Sequence, residues 1–502
     1  MTNNTPAGAK NENINASSPM YVPGYNAAPR PVREFSKKER LLVFVALIVA
    51  ILCDRLLFSS LSWQAFDLPY FSAIFWITFL VIFYAVFWEK LKDQKLSWLI
   101  AGFIVLLCVW NILYDYTSAY GILTLLVIPC VTMAHVVLST GSYKLKDAER
   151  MAVAWLCGWF VRPFSAIPMM FGAIGSMTKG AKKATVRNVT VGLLCSLAVL
   201  VVIVPLLGSA DLVFGYYLQQ MLDLFDVSPF VFHSIVIMIA AILFYSFLWN
   251  AGFSEPRPAG LRKEVRIDTV VSSMVLGAVV TLYVVFCALQ FTYLFAGAGL
   301  PANLTYSEYA REGFAQLIAV CSINLGLFGI FLRYGKQHRA TSLLLLCLLC
   351  LSGVMLVSGF VRLNLYITAY GLTGLRLFSA WFILYLAVVL ALSFVRMLKE
   401  QLPLIALSAL ILLGWFTVFG YANPDALIMQ YNLQANGNSS AWVEENRNYI
   451  YDLSDDALLV LLSRIPDSEA LAPILQDRLQ ESSRYNVSSR RLERILTSKL
   501  SD

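Results

Sequence analysis

The sequence predicts an all-α fold: a polytopic transmembrane helix bundle of about eleven spans with a small C-terminal tail of amphipathic helices. Of its 502 residues, 59% are hydrophobic and 14% are charged, against roughly 45–50% and 25% in a typical soluble domain. The apolar residues gather into nearly uncharged runs of about twenty, the length that crosses a hydrocarbon layer roughly 30 Å thick. A bilayer is therefore the expected solvent. The formal charge of +7 follows from the Lys and Arg content of short connections, so no nucleic-acid partner is expected.

The first 38 residues are rich in Asn, Ala, Pro and Ser. Such a stretch cannot bury enough apolar surface to fold, and we expect residues 1–38 to be a disordered, cytoplasmic leader. Because this polar segment precedes the first apolar run, no cleavable signal peptide is expected.

Residues 39–421 are expected to form the transmembrane helical domain, since the long apolar runs all lie there. The candidate spans are Leu41–Phe58, Leu68–Trp88, Leu96–Tyr114, Ala119–Leu138, Asn188–Leu207, Pro229–Trp249, Thr269–Phe295, Gly313–Leu332, Ala340–Phe360, Leu377–Val395 and Leu402–Gly420.

The orientation of the spans follows from the positions of Lys and Arg, because positively charged loops stay on the cytoplasmic side. Connections on the N-terminal side hold 26 basic residues, whereas those on the other side hold only four. We therefore predict a cytoplasmic N-terminus. An odd number of spans then puts the C-terminus outside the cytoplasm.

The apolar stretch 151–177 is interrupted by Arg162, Pro163 and Pro168. It is interpreted as an interfacial or re-entrant hairpin on the cytoplasmic side, where tryptophans suit the headgroup level. The alternative is two further spans, which would leave the parity unchanged.

The sequence Thr305-Tyr306-Ser307-Glu308 precedes an apolar run and has the pattern of a capping box. It predicts that the eighth helix begins in the outer aqueous phase and carries Glu308 and Arg311 on its first turns.

Residues 422–502 are expected to form an extracytoplasmic tail of short helices. Asn423-Pro424-Asp425 is a strong helix start, with an N-cap, a proline at the first helical position and an acid near the positive end of the dipole. The caps expected for the later helices are Ser454 or Asp455, then Asp467, then Ser488 or Ser489.

Arg362 and Arg376 bracket an outer connection that also holds Tyr366 and Tyr370. One interpretation is that the arginines extend to lipid phosphates beside a belt of tyrosines. The other is that Arg311, Arg362 and Arg376 converge on an anionic group, which a guanidinium can bind through two hydrogen bonds. Asp211 and Asp425 would then compete for the arginines.

Motifs for catalysis or metal binding are missing from the sequence. The nine cysteines lie in or beside apolar runs, and His135, His233 and His338 are isolated from one another. Packing or solvation is the expected role of these histidines. We expect no metal, no cofactor and no catalytic residue.

Several stretches resemble an uncharacterised bacterial family of multipass membrane proteins that is catalogued only as a domain of unknown function. They are GLLCSLAVLVVIVPLLGSADLVF (192–214), QFTYLFAG and LTYSEYAREGFAQL (within 290–317), RLNLYITAYGLTGLRL (362–377), NPDALIMQYNL (423–433) and LSDDAL (453–458). The resemblance implies a bacterial cytoplasmic-membrane location. It brings no established activity, cofactor or catalytic residue.

The polar residues of these stretches all fall on the predicted outer face, and we hypothesise that they form one binding patch. Its members are Asp211, Tyr306, Glu308, Arg311, Arg362, Tyr366, Tyr370, Arg376, Asn423 and Asp425. The leading hypothesis is a non-enzymatic envelope protein, regulatory or scaffolding, that binds another envelope protein or an anionic lipid headgroup. The alternatives are a glycosyl or phosphoryl transferase acting on a lipid-linked substrate, and a transporter.

Overall fold

The computed structural model describes residues 34–58, 68–115, 119–141, 148–177, 206–224, 228–254, 266–290, 313–336, 338–465 and 485–501, with a few single positions between them. The regular structure in these segments is helical, apart from one bridge between Ile267 and Gly335. Of the predicted leader, residues 1–33 lie outside them. Residues 34–38 are described, and the expected disorder is wrong there because Lys37 and Lys38 already belong to the first long helix, which Ser36 caps.

The chain enters the bundle through four long helices. They are α1 (Lys37–Cys53), α2 (Leu68–Leu91), α3 (Lys95–Leu113) and α4 (Ala119–Thr140). A capping box starts α1: the Ser36 hydroxyl accepts from the Glu39 amide at 3.2 Å, and the Glu39 carboxylate accepts from the Ser36 amide at 2.8 Å. The last residues of this span, Asp54–Phe58, form a π-helical turn.

The interrupted stretch after α4 forms three short helices, α5 (Ala148–Phe160), α6 (Arg162–Ser165) and α7 (Ile167–Met177). Pro163 and Pro168 each stand second in a helix, where a missing N–H costs little. The 13 residues of α5 and the 11 of α7 reach about 20 and 17 Å, too short for a bilayer core of roughly 30 Å. The lengths favour the hairpin over two additional spans.

The fifth predicted span, Asn188–Leu207, lies largely outside the described residues. The chain is described again through α8 (Leu212–Leu224). Asp211 caps this helix, because its carboxylate accepts from the amides of Val213 and Phe214 at 2.8 and 3.1 Å.

The second half of the bundle consists of six long helices. They are α9 (Ser228–Phe253), α10 (Thr269–Gln290), α11 (Phe314–Tyr334), α12 (Arg339–Tyr370), α13 (Gly374–Leu398) and α14 (Leu404–Tyr421). Within the described residues, ten helices are long and apolar enough to cross a membrane. The predicted polytopic helix bundle is confirmed, and the chain is a multipass membrane protein.

Helix α12 is longer than the sequence predicts. It has 32 residues, about 48 Å, and it ends only at Gly371, whose φ is 77°. The prediction that Arg362, Tyr366 and Tyr370 lie in a connection is therefore wrong. No residue between Phe360 and Gly371 breaks a helix, so the backbone continues past the apolar run.

Helix α11 begins at Phe314, after Gly313 with a φ of 101°. The predicted capping box at 305–308 stays a prediction. The stretch 305–312 itself lies outside the described residues.

The ends of the long helices lie at two opposite ends of the bundle, as the antiparallel packing of neighbouring helices shows. The pairing of α1 with α9 gives the clearest example. The Trp249 indole donates to the Glu39 carboxylate at 3.0 Å at one end, and the His233 imidazole lies 2.7 Å from the Asp54 carboxylate at the other. The end that includes Asp54 also carries the C-terminal tail, and we call it the tail end.

In its described ranges, 422–465 and 485–501, the tail forms five short helices, α15 (Pro424–Ala435), α16 (Ser440–Glu445), α17 (Arg447–Tyr451), α18 (Asp455–Arg464) and α19 (Val487–Ser501). Its core is continuous with that of the bundle. Apolar side chains of α15, α18 and α19, such as Ile428, Leu458 and Leu492, belong to one buried cluster with Ile367 and Leu372. The tail is thus packed onto the bundle.

The tail helix starts follow the sequence in part. Asn423 caps α15 through the Ala426 amide at 3.4 Å, and Ser454 is the N-cap residue of α18, as predicted. Asp467 lies outside the described residues. The prediction for α19 is wrong: Asn486 accepts from the Ser489 amide at 2.8 Å, and both serines are engaged with carboxylates of α18.

Candidate functional site

The junction between bundle and tail is built from carboxylates that cap backbone amides. Asp115 follows the last turn of α3 and is 1% exposed. Its carboxylate accepts from the Asp455 amide at 2.8 Å, while its own amide donates to the Asp456 carboxylate at 3.0 Å. Amides in the first turn of α18 have no partner within the helix, so acceptors from elsewhere satisfy them and match the helix dipole.

Helix α19 completes this junction. The Ser488 hydroxyl is 2.6 Å from the Asp456 carboxylate, and that of Ser489 is 2.5 Å from Asp455. Arg478 lies 3.8 Å from the other oxygen of Asp455 and donates to the carbonyls of Tyr451 and Leu453 at 2.7 and 2.9 Å. The hydroxyl hydrogen bonds hold α19 against α18.

A fourth carboxylate, Asp425 in the first turn of α15, accepts from the Ser454 amide at 3.2 Å. Burial raises the pKa of Asp425 and of Asp456, and the nearby Asp115 carboxylate acts in the same direction. Hydrogen bonds from Ser454 and Ser488 oppose these increases. Asp115 and Asp456 thus join the tail to the bundle. Asp425 links α15 to α18 within the tail, and the Asp455 carboxylate links α18 to α19.

The turn between α12 and α13 is held by Asn432 of α15. Its side-chain amide donates to the Leu372 carbonyl and its carbonyl accepts from the Leu372 amide, both at 2.8 Å. A Cβ at Gly371 would lie 2.8 Å from the Asn432 carbonyl oxygen. Glycine is therefore required here both by its positive φ and by this close approach.

Arg376 lies on the first turn of α13 and caps the end of α12. Its Nη1 donates to the carbonyls of Tyr370 and Gly371 at 2.9 and 2.5 Å. The guanidinium carbon is 4.0 Å from the centroid of the Tyr366 ring and 5.9 Å from that of Tyr370. Such stacking holds the guanidinium in a fixed plane.

Tyr449 of α17 lies in the electrostatic field of both Arg376 and Asp425. Burial raises the pKa of Tyr449 to about 12, and the Asp425 carboxylate adds to this increase. The positive charge of Arg376 acts in the opposite direction and lowers the pKa.

Arg362 faces a different neighbour. It is 7% exposed, and its Nη1 would be 2.7 Å from a Cβ placed on Gly313. Arg362 is therefore packed inside the tail end, against the start of α11.

The predicted patch is thus brought together only in part. Tyr366, Tyr370 and Arg376 form one group. Asp425 is engaged separately, with the Ser454 amide. The Asn423 side chain caps the start of α15. The hydrogen bonds of Asp211 are local to the start of α8. Tyr306, Glu308 and Arg311 lie outside the described residues.

Sequence reasoning missed the residues that hold the tail. They are Asp115, Asn432, Tyr449, Asp455, Asp456, Arg478, Ser488 and Ser489. One signal was available: two acidic residues follow Ser454 in the first turn of a predicted helix. That pattern indicates a capped helix start, but it does not reveal Asp115 as the partner.

The two bundle histidines also have polar partners that the sequence did not indicate. His135 Nε2 lies 3.0 Å from the Ser97 hydroxyl and 3.1 Å from that of Tyr84. His233 meets the fully buried Asp54 at 2.7 Å, beside the π-helical turn. Among the described residues, no group of three or more His, Cys, Asp or Glu side chains could hold a metal ion.

The family of domain of unknown function DUF4153 matches residues 101–463 of the chain, from the first turns of α3 to the last turn of α18. No curated protein and no solved structure matches this chain. Since the match covers well over half of the 502 residues, the chain belongs to the DUF4153 family.

Proposed function

We propose that this protein is a non-enzymatic component of the bacterial cell envelope that binds another envelope protein or an anionic lipid headgroup at its tail end. The N-terminus is cytoplasmic, the tail is extracytoplasmic, and the membrane is the cytoplasmic one. The ligand contacts the group formed by Tyr366, Tyr370 and Arg376.

The proposed orientation is supported by the charges at the two ends of the bundle. The end opposite the tail carries cations such as Lys92, Arg333 and Lys336, which pair there with Glu89, Glu149 and Asp268. Basic segments resist translocation, so this end remains in the cytoplasm.

The observation that carries the binding proposal is the way in which Arg376 is held. Two carbonyls fix Nη1 and the Tyr366 ring fixes the plane, while Nε and Nη2 make no hydrogen bond within the described residues. A planar guanidinium with unused N–H donors can bind a carboxylate or phosphate group. Because Asn432 of the tail already holds the adjoining turn in place, ligand binding costs little further conformational entropy.

Arg376→Gln tests this proposal. The variant and the wild-type protein are purified in mild detergent through an N-terminal tag, and the retained proteins and lipids are identified by mass spectrometry. We expect a retained species to fall at least tenfold with Arg376→Gln and partly with Arg376→Lys, which keeps the charge but not the planar fork. Arg447→Gln, at an exposed arginine of the same tail, is the matched control and should leave retention unchanged.

Equal retention by wild type and Arg376→Gln, with equal melting temperatures, would overturn the proposal. A reporter enzyme that is active only outside the cytoplasm, fused after Asp502, tests the orientation separately. Its activity is expected, and its silence in a stable fusion would invert the topology.

The transferase alternative uses the same arginine but also needs a free acid or base nearby. Asp115, Asp425, Asp455 and Asp456 are all occupied as acceptors of backbone or serine hydrogen bonds. This occupation favours the non-enzymatic proposal. A retained polyprenyl-type lipid that is chemically altered in the presence of wild-type protein would favour the transferase.

A further inference from the structure

The last helix of the tail, α19, has two distinct faces. Ser488, Ser489, Leu492 and Leu496 are buried against the rest of the tail. Arg490, Arg491 and Arg494 are exposed, and their spacing of one, three and four residues puts them together on the opposite side of the helix. Because the apolar face is already used in the tail core, α19 presents its cations outward.

The start of α19 is fixed beside the ends of two spanning helices. The Tyr485 ring stacks on Tyr70 with centroids 5.7 Å apart and meets Phe71 edge-on at 5.3 Å. Both partners belong to the first turn of α2. The Ser488 hydroxyl, which donates to Asp456, also lies 3.1 Å from the carbonyl oxygen of Leu113, the last residue of α3. Spanning helices enter and leave the hydrocarbon core at such positions, which is where the lipid headgroups lie.

Arg490 lies at this same level. Its guanidinium carbon is 5.7 Å from the centroid of the Tyr485 ring, so a positive charge stacks on an aromatic side chain that itself stacks on α2. Tyr485 is 44% exposed and the adjacent Val487 is 52% exposed. A half-exposed tyrosine next to an arginine is the composition that interfacial anchors have.

We propose that the exposed face formed by Arg490, Arg491 and Arg494 binds anionic phospholipid headgroups in the leaflet at the tail end. The three guanidiniums supply charge and paired donors for phosphodiester groups. Because α19 contacts α2 and α3, the three guanidiniums lie close to the membrane surface. They are within the Debye length over which electrostatic attraction to anionic headgroups acts. An acidic protein would also match the charge, but the level of Tyr485 and Arg490 favours the lipid.

This inference does not depend on the ligand of Arg376, because it uses other residues and another helix. It also lies outside the stretch matched by the family, which ends at residue 463. It concerns whichever leaflet adjoins the tail and therefore holds for either orientation of the chain.

The experiment uses the full-length protein in vesicles of equal parts phosphatidylglycerol and phosphatidylcholine. The protein is extracted in mild detergent, and the ratio of the two retained lipids is measured by mass spectrometry. We expect wild type to be enriched in phosphatidylglycerol, and the enrichment to fall about tenfold in the double variant Arg490→Gln, Arg494→Gln. At 0.5 M salt the difference between the proteins should largely disappear.

Two further proteins make the result decisive. Arg447→Gln, Arg464→Gln removes the same charge from exposed positions elsewhere in the tail and should keep the enrichment. Arg490→Lys, Arg494→Lys keeps the charge and should retain most of it. An unchanged lipid ratio in the glutamine variant of α19, or an equal fall in the control variant, would overturn the proposal.

Discussion

Replacing Asp456 by alanine should loosen the tail from the bundle without unfolding the spanning helices. The carboxylate accepts from the Asp115 amide at 3.0 Å and from the Ser488 hydroxyl at 2.6 Å. After substitution, the Ser488 hydroxyl can turn its single hydrogen to the Leu113 carbonyl 3.1 Å away, whereas the Asp115 amide is left buried without this acceptor.

The magnitude follows from these contacts. A buried amide without an acceptor costs about 1–3 kcal/mol, and the lost serine hydrogen bond adds about 1 kcal/mol. Loss of a negative charge from the first turn of α18 adds roughly 0.5 kcal/mol. The free energy of opening the tail should therefore fall by about 3 kcal/mol, which corresponds to a change of roughly 100-fold in the opening equilibrium.

Hydrogen exchange followed by mass spectrometry measures this opening directly. Amides in the middle of α18, around Leu458–Leu462, should exchange roughly 100-fold faster in Asp456→Ala. Those of α4 should keep their rates. Asp452→Ala removes an exposed carboxylate from the same tail and should change nothing. If α18 stayed as protected in Asp456→Ala as in wild type, the junction would not be what holds the tail.

Three further predictions concern the same end of the molecule. Because burial raises the pKa of Asp425 above its ordinary value of 3.8, the folded state favours the protonated acid. The Asp425 carboxyl group therefore makes its full contribution to stability below about pH 4 and loses it as the pH rises through the folded pKa. The melting temperature of the wild type, followed by tryptophan fluorescence between pH 4.5 and 7.5, should therefore fall more steeply than that of Asp425→Asn, and parallel curves would contradict this. Asn432→Ala removes both hydrogen bonds to the turn and should lower the free energy of opening the tail by about 2 kcal/mol. Hydrogen exchange measures this as faster exchange of the tail amides. Asn436→Ala, at an exposed position, should have a far smaller effect. Gly371→Ala should lower the melting temperature more than Gly437→Ala, since both have a positive φ but only Gly371 faces an oxygen at 2.8 Å; equal losses would mean that backbone strain alone decides.

The bundle could be predicted because the length and apolarity of a span are local properties of the sequence. Any run of about twenty apolar residues satisfies its own backbone hydrogen bonds as a helix in lipid, whatever its neighbours are. The start of α15 was local as well: Asn423 reaches an amide only three residues ahead. The same local criterion failed for α12, because apolarity ends near Phe360 while the helix continues to Gly371.

The candidate site could not be predicted in the same way, because the partner of a carboxylate or guanidinium is set by which helices meet. Asp115 and Asp456 are 341 positions apart in the chain, and His233 and Asp54 are 179 apart. Nothing in the neighbourhood of either member marks the other.

The sequence by itself therefore determined the class of fold and the starts of α15 and α18. It also determined the number of long helices, apart from the predicted span near residue 200, which lies largely outside the described residues. Only the tertiary structure decided that the tail packs onto the bundle, that Asp115 and Asp456 join the two, and that Arg376 caps the end of α12. The physical reason is that solvation by lipid acts on each segment separately, whereas hydrogen bonds and ion pairs depend on distances between segments that only packing fixes.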